Sequence, residues 1–459
     1  MKQSNLNIVI PLKDGKSLLH NTCTQGTLLL ENSQLTYLSH PLTAPILLKL
    51  RLQSIGAILN TDIDEIAVLR KKDFISKKYK EKSLSITVMM TEACNFSCSY
   101  CNQGTNKQSK FLDSATFSKL VSYIQSFPDC EKLEVSWYGG EPLLRKKDIA
   151  EFSSQLLSHC ISKQIIYESH ITTNGYFLTL DTAEMLIKSG IKAAQITIDG
   201  DQDCHDNSRY IKEGHGSFEL IMNNIKSVLE NTELKIIIRT NVNKLNMDGL
   251  FNMIDQFIGF RFNHSDQFAI YFYNVYSPSK NQLEDSLYSD VDENLLDPFT
   301  FSHLQFKLNC YLRQNNFNVA LDMPSFGGSC IATKKSSFAI SPYGELFKCY
   351  VVMANRDEAV GTLSNEGAPL LDKSKFDTWN NWTAFEQEEC RGCKLIGSCR
   401  GGCPLDYIQN NSHSNNFRCP PSKLYFNEYV FSKAVQNGLV QPELWDEKLS
   451  KTNQHSLRL

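Results

Sequence analysis

From about residue 84 onward the sequence alternates short apolar runs with amphipathic stretches, and this alternation restricts the fold more than any other feature. The runs Leu84–Met90, Leu133–Tyr138, Ile165–Thr172, Ala194–Ile198, Leu234–Thr240 and Phe268–Phe272 have the length of strands. Between them, Ser114–Ser126, Lys147–Cys160, Asp181–Ser189, Ser217–Glu230 and Met247–Phe257 carry helical spacing. Strands linked through helices run parallel, because a parallel neighbour needs a long crossover. The expectation is therefore an α/β chain whose parallel sheet closes fully or partly into a barrel. Polar motifs follow the strands at a constant place. A three-cysteine loop follows the first and Gly139-Gly140-Glu141-Pro142 the second. Thr172-Thr173-Asn174-Gly175 follows the third, Asp199-Gly200 the fourth and Asn241 the fifth. In such barrels the reacting groups gather at the C-terminal strand ends.

Bulk properties remove several classes of function. Hydrophobic residues make up 41% of the 459 residues and charged residues 21%, the balance of a globular chain. The net charge of −3 offers no basic field for nucleic acid or an anionic membrane. No apolar run approaches the length of a membrane span, and the first thirty residues lack the basic start and long apolar core of a secretory signal. A cytoplasmic location is expected.

Fifteen cysteines are the compositional outlier. Without a signal peptide, clustered cysteines read as metal ligands and not as disulfides. Cys23, Cys130, Cys160, Cys204 and Cys310 are scattered and read as small apolar side chains. The sharpest group is Cys94-Asn-Phe-Ser-Cys98-Ser-Tyr-Cys101. Its spacing holds three corners of a cubane iron–sulfur cluster and leaves the fourth iron open to a small molecule. A zinc site is the alternative, but no nearby His or fourth Cys completes a tetrahedron. The second group runs from Cys330 through Gly344 to Cys349, then Cys390-x2-Cys393-x5-Cys399-x3-Cys403, and ends at Cys419. Taken alone, its middle portion also reads as a zinc ribbon.

The three-cysteine spacing, with Tyr100 just before the third cysteine, resembles the signature of the radical S-adenosylmethionine (SAM) superfamily. The resemblance implies a [4Fe–4S] cluster on Cys94, Cys98 and Cys101 whose open iron chelates SAM, and a 5′-deoxyadenosyl radical that abstracts hydrogen from an unreactive C–H bond. Gly139, Gly140 and Glu141 resemble the segment that meets the methionine amine. Thr173 and Asn174 offer groups for a ribose or carboxylate, and a capped helix start explains them equally. The run Ile196-Thr197-Ile198-Asp199-Gly200, with His205, Asp206 and Arg209, resembles a segment in which arginine meets the SAM carboxylate. Asp199 reads equally as structural, and Arg239 and Asn241 recur at the fifth strand end. No catalytic residue is assigned beyond the cluster ligands.

The seven later cysteines resemble the SPASM extension of these enzymes, which binds two auxiliary iron–sulfur clusters. By position, Cys390, Cys393, Cys399 and Cys419 would hold the outer cluster, and Cys330, Cys349 and Cys403 the inner one. Relatives with a fully ligated inner cluster have another cysteine where this chain has Pro324, so an open inner iron is expected. Anaerobic sulfatase maturases place an aspartate directly after the second SPASM cysteine, and this chain has Tyr350.

The implied fold is a partial (β/α)6 TIM-like barrel over 84–315, with a SPASM domain over 325–422 and a helix and tail over 423–459. Residues 1–83 form a small α/β unit, either a cap or a winged-helix-like unit that binds a leader peptide by adding a strand to a sheet edge. Within it, Leu6–Pro11 and Gly26–Leu30 read as strands, Pro45–Ser54 as a helix, and the basic stretch from Lys71 to Lys80 as a solvated linker. Residues 276–300 read as an acidic surface linker, Phe301–Arg313 and Leu424–Ala434 as helices, and the last ten residues as frayed. The implied activity is radical modification of a ribosomally made peptide, giving a thioether or carbon–carbon crosslink. Its partners would be a precursor peptide or protein and an electron donor such as flavodoxin or ferredoxin. Sulfatase maturation, a SPASM enzyme acting on a small molecule, and a non-enzymatic zinc-binding interaction protein are the alternatives.

Overall fold

The chain begins with β1 (Lys2–Gln3), followed by β2 (Asn7–Pro11), β3 (Lys16–Asn21) and β4 (Thr27–Glu31), an antiparallel sheet in the order β2-β3-β4. β5 (Ile58–Leu59) returns to pair with β1. The computed structural model describes residues 1–78, 82–101, 103, 109–212, 214–275, 293–319, 330–409 and 419–445. Pro324, most of the acidic stretch 276–300, Lys80 and the last ten residues lie outside them.

β3 was not foreseen, because its interior has no apolar–polar alternation. Both of its faces are covered. Leu18 packs with Ile8, Ile10, Phe426 and Val430, whereas Leu19 packs with Leu28, Leu48 and Leu52. The expected helix forms as Ile46–Ser54.

The basic stretch is not a solvated linker. It belongs to the helix Glu65–Lys78. Asp73 and Lys77, one turn apart, pair at 2.7 Å with both side chains under a tenth exposed. Lys77 Nζ also donates to the Trp382 carbonyl at 3.3 Å and lies 5.3 Å from the Trp382 ring centre. The i,i+4 spacing within a charge-rich run conceals such burial, since tertiary packing decides it. Asp73→Ala would strand a buried ammonium, and a loss of about 3–5 kcal/mol is expected in urea unfolding.

The six expected barrel strands form as β6 (Ser83–Met89), β7 (Lys132–Tyr138), β8 (Ile166–Thr173), β9 (Ala193–Thr197), β10 (Lys235–Val242) and β11 (Phe268–Asn274). Each pairs in parallel with the next. The helices Ser114–Gln125, Lys146–Lys163, Leu180–Lys188, Phe218–Asn231 and Leu250–Gly259 follow the predicted order. β12 (Asn318–Val319) extends the β11 edge. At the other edge β13 (Phe338–Ile340) pairs in parallel with β6, and β14 (Glu345–Phe347), β15 (Gly361–Leu363) and β16 (Pro369–Leu371) continue antiparallel. One sheet thus runs from the barrel into the cysteine-rich segment. An α-helix occupies Phe426–Gln436.

One face of each barrel strand packs on the helices. Leu133, Val135, Trp137, Ile196, Ile238 and Ile270 are fully buried there. Each such side chain contributes about 1.5–3 kcal/mol, enough to fix strand register. Alternate residues necessarily stand on the opposite face. That face carries polar contacts: Ser136 meets His170 at 2.8 Å, and Tyr271 donates to Gln195 at 2.8 Å. Arg239, Asn241 and Tyr273 continue that face to the C-terminal strand ends. The described residues include no helix long and apolar enough to cross a membrane.

Candidate active site

The cysteine loop leaves β6 and is clamped on two sides. Gly140 N donates to Thr91 O and Glu141 N to Ala93 O, both at 2.8 Å. A Cβ on Gly139 would lie 2.4 Å from Thr91 O, and one on Gly140 would lie 2.3 Å from Ala93 O. Gly139 also has φ +142. The two glycines therefore let the end of β7 touch the backbone that launches Cys94. On the other side, Ser97 N donates to Tyr210 O at 3.1 Å and Lys212 N to Asn95 O at 3.0 Å. Phe96 N points at Cys94 Sγ, 3.4 Å away. A backbone amide facing sulfur is the surrounding a cluster thiolate needs.

Glu141 is completely buried. Its carboxylate accepts from Leu143 N (2.8 Å), Thr173 Oγ1 (2.7 Å) and Asn174 N (2.7 Å). Burial pushes its pKa up, while these donors pull it down. Glu141 thus ties the end of β7 to the end of β8. Asn174 Nδ2 in turn donates to Asn95 Oδ1 at 2.8 Å, joining β8 to the cysteine loop.

Tyr100 reaches across to β9 and β10. Its hydroxyl donates to Asp199 Oδ2 and accepts from Arg209 Nη1 (2.7 Å) and Asn241 Nδ2 (3.2 Å). Asp199, fully buried, also accepts from Asn241 N at 2.8 Å, and Arg209 Nη1 stands 3.7 Å away. Every one of these neighbours donates, which suits an ionised carboxylate. Burial raises the Asp199 pKa and Arg209 opposes it. Burial alone would lower Arg209, but Cys98, Tyr100 and Asp199 hold it well above its usual value. Behind Asp199, His205 Nδ1 accepts from Asp199 N at 3.2 Å, and Nε2 meets Ser217 Oγ at 3.1 Å. Burial and Arg209 keep this imidazole neutral.

The later cysteines fall into two groups in space. Cys390, Cys393, Cys399 and Cys419 line one cavity with Leu395 and Tyr407. Lys423 Nζ approaches Cys419 Sγ at 3.4 Å, and the Tyr407 hydroxyl approaches Cys390 Sγ at 3.8 Å. The Cys399 thiol is pushed up to about 12, by burial first and then by the other three thiols. Such crowding suits a cationic centre. In the second group, burial raises the Cys349 thiol, and Cys403 and Cys330 push it the same way. This group borders the barrel mouth, where the Tyr350 ring meets Tyr138 edge-on at 5.2 Å. Of the scattered cysteines, Cys130 and Cys160 are buried, whereas Cys23, Cys204 and Cys310 are half-buried.

Residues 88–255 match the Radical SAM superfamily, and that match spans the cysteine loop, both clamps and the Tyr100 network. That stretch is a radical SAM domain. The chain is 26% identical over 175 residues to the sporulation killing factor maturation protein SkfB of Bacillus subtilis (strain 168). That alignment covers 38% of this chain and only 39% of SkfB. It is 23% identical over 366 residues to the cysteine-type anaerobic sulfatase-maturating enzyme of Clostridium novyi (strain NT), covering 76% of this chain and 96% of that enzyme. Two solved structures share the fold. Native anSMEcpe with bound AdoMet has a TM-score of 0.59 at 15% identity, over 77% of this chain and 97% of that one. Streptococcus suis SuiB bound to precursor peptide SuiA has a TM-score of 0.50 at 15% identity, over 92% and 98%.

The radical SAM match over residues 88–255 implies a [4Fe–4S] cluster and SAM. The residues present fit both. Cys94 is buried and Cys98 and Cys101 are half-buried on a doubly clamped loop. Arg209 Nε and Asn95 Nδ2 are buried donors beside that loop without hydrogen-bond partners among the described residues. Sequence reasoning missed Asn95 as a connector, and it missed the tyrosine group formed by Tyr138, Tyr273 and Tyr350. Their shared signal is placement at or beside C-terminal strand ends, opposite the helix-packed face.

Proposed function

We propose that this chain modifies a peptide by radical chemistry, abstracting hydrogen from a C–H bond to form a thioether or carbon–carbon crosslink. The observation that carries this reading is the three-cysteine loop, fastened by Tyr100, Asp199 and Arg209 at a barrel mouth shared with Cys349 and Cys403. A [4Fe–4S] cluster on Cys94, Cys98 and Cys101 would supply the electron that cleaves SAM to a 5′-deoxyadenosyl radical. Arg209 and Asn95 would orient SAM through their unpartnered donors, with the Gly139 and Gly140 backbone beside them. Glu141, Thr173, Asn174, Asp199 and Tyr100 would hold these groups in place. The inner and outer cysteine groups would hold auxiliary clusters that accept the substrate's electron, the inner one with an open iron. The electron donor would be a small redox protein such as flavodoxin or ferredoxin.

A peptide substrate agrees with SuiB, whose structure holds a precursor peptide. The N-terminal unit supports it too, because among the described residues β4 pairs on one side only and offers a sheet edge to a leader strand. Sulfatase maturation is the second reading, favoured by the alignment with the Clostridium novyi enzyme. It is weakened by Tyr350, whose ring is engaged with Tyr138 where an acidic base is needed.

Anaerobically purified protein should be brown and carry about twelve irons in three clusters. It should release 5′-deoxyadenosine from SAM and a reductant. Cys98→Ala should reduce that release to background; sustained release from the variant would overturn the cluster assignment.

A further inference from the structure

We propose that Lys423 and Tyr407 are tuning residues, whose donors on two thiolates raise the reduction potential of a cluster held by Cys390, Cys393, Cys399 and Cys419. This rests on the reading above that the outer cysteine group holds an iron–sulfur cluster. Lys423 Nζ lies 3.4 Å from Cys419 Sγ, and the Tyr407 hydroxyl lies 3.8 Å from Cys390 Sγ. Both residues line the same cavity as the four cysteines. A protonated thiol and a tyrosine hydroxyl can each donate, but a metal-bound sulfur is a thiolate and only accepts. Ligation therefore directs both bonds toward sulfur.

Several contacts hold these donors in place. Lys423 sits in the 3-10 turn Pro421–Tyr425, which follows Cys419 and Pro420. Its backbone N donates to Pro420 O at 3.0 Å. Pro421 O accepts from Ser302 Oγ at 2.7 Å, and the Tyr425 hydroxyl meets His303 Nδ1 at 2.7 Å. The Tyr425 ring also stacks on Phe306, with 20° between the planes. Both ends of the turn are thus fastened to the helix Pro298–Gln314. A lysine serving solubility alone would extend into water, whereas Lys423 is half-buried and its charge faces Cys393, Cys419 and Cys399. Tyr407 is buried on the helix Pro404–Ile408, with its ring centre 5.6 Å from that of Trp382. Reduction adds one electron to the irons and their thiolates. A donor on sulfur stabilises that added charge, and a cationic donor stabilises it most, so the potential rises. The Tyr407 donor is neutral and more distant, so its share is smaller. The outer group becomes a one-electron acceptor: the substrate radical is oxidised, the acceptor is reduced, and no bond to Lys423 or Tyr407 forms or breaks.

The test is a redox titration of the reconstituted full-length protein, followed by electron paramagnetic resonance. Added SAM moves the couple of the first cysteine loop and so marks it. The two couples that SAM leaves unmoved belong to the later cysteine groups. Lys423→Gln should lower one of those two, leaving it about tenfold less reduced at a given potential, or about 59 mV for a one-electron couple. Tyr407→Phe should lower the same couple by less, about threefold in the same ratio. Lys423→Arg keeps the charge and a donor and should stay closer to the wild type. Iron content and thermal unfolding of each variant show whether its sites are filled. An unmoved couple in iron-replete Lys423→Gln, or equal movement of both later couples, would overturn the proposal. So would loss of iron from Lys423→Gln, because the lysine would then build the site and not tune it. A Tyr407→Phe shift in the other couple, or a wild type with fewer than two couples that ignore SAM, would count the same way. Release of 5′-deoxyadenosine by the same wild-type sample separates the two readings. A shifted couple without that release keeps the tuning and removes the radical chemistry. Release without a shifted couple does the reverse.

Discussion

Asp199→Ala is expected to slow reductive cleavage of SAM by about 10–100-fold, although Asp199 lies on a barrel strand end and is no cluster ligand. Its carboxylate is where three donors meet: the Tyr100 hydroxyl, the Asn241 amide and, slightly farther, the Arg209 guanidinium. Tyr100 is bound covalently between Cys98 and Cys101, so losing this acceptor loosens two thiols together. Arg209 would be left buried without its counter-charge, costing about 3–5 kcal/mol. Asp199→Asn should fall between the variant and the wild type. It retains an acceptor for Asn241 N but turns an amide donor or a neutral oxygen toward Tyr100. Tyr100→Phe should be milder in stability, since Arg209 and Asp199 remain 3.7 Å apart. Urea unfolding and 5′-deoxyadenosine release, measured on the same anaerobic preparations, check the order. An Asp199→Ala protein with wild-type release would show that the network plays no part in holding the loop.

The same network shows what could be read from sequence and what could not. Each barrel strand lay within a residue or two of its apolar run, because helix packing on one face leaves a strong pattern. The cysteine groups were legible because their spacing carries their geometry. The structure places Cys390, Cys393, Cys399 and Cys419 around one cavity. Roles were less legible than places. Glu141, expected to meet an amine, spends its carboxylate on Leu143, Thr173 and Asn174. No local pattern reveals that, because two of the three, Thr173 and Asn174, are 32 and 33 residues away in the chain. The N-terminal unit was obscured for a related reason. Thr22 Oγ1 donates to Lys394 O, and Ser398 Oγ donates to Thr22 O at 3.0 Å. These bonds seat the unit on the loop that carries Cys393 and Cys399. Burial at such a docking surface erases the alternation by which β3 and the Glu65–Lys78 helix could have been recognised.

Gly140→Ala tests the other clamp on the cysteine loop, and its expected effect is as large as that of any ligand change. The added methyl would meet Ala93 O at 2.3 Å and Glu92 O at 2.5 Å. Both are backbone atoms, so no side chain can rotate away. Either the end of β7 or the segment before Cys94 must move, and the bonds from Gly140 N to Thr91 O and from Glu141 N to Ala93 O break with it. The cost should reach or exceed the upper end of the about 1–3 kcal/mol typical of overpacking. The chemical consequence should be selective. The barrel-mouth cluster would be lost while the two later cysteine groups, on other segments, keep theirs. Iron should therefore fall by about a third, and SAM cleavage should vanish. Gly259→Ala is the control: this glycine ends a helix with nothing within 4 Å of the added atom. It should change neither iron nor activity and should gain up to about 1 kcal/mol in helix propensity. If Gly140→Ala kept full iron and full cleavage, the close backbone approach would not be what positions Cys94.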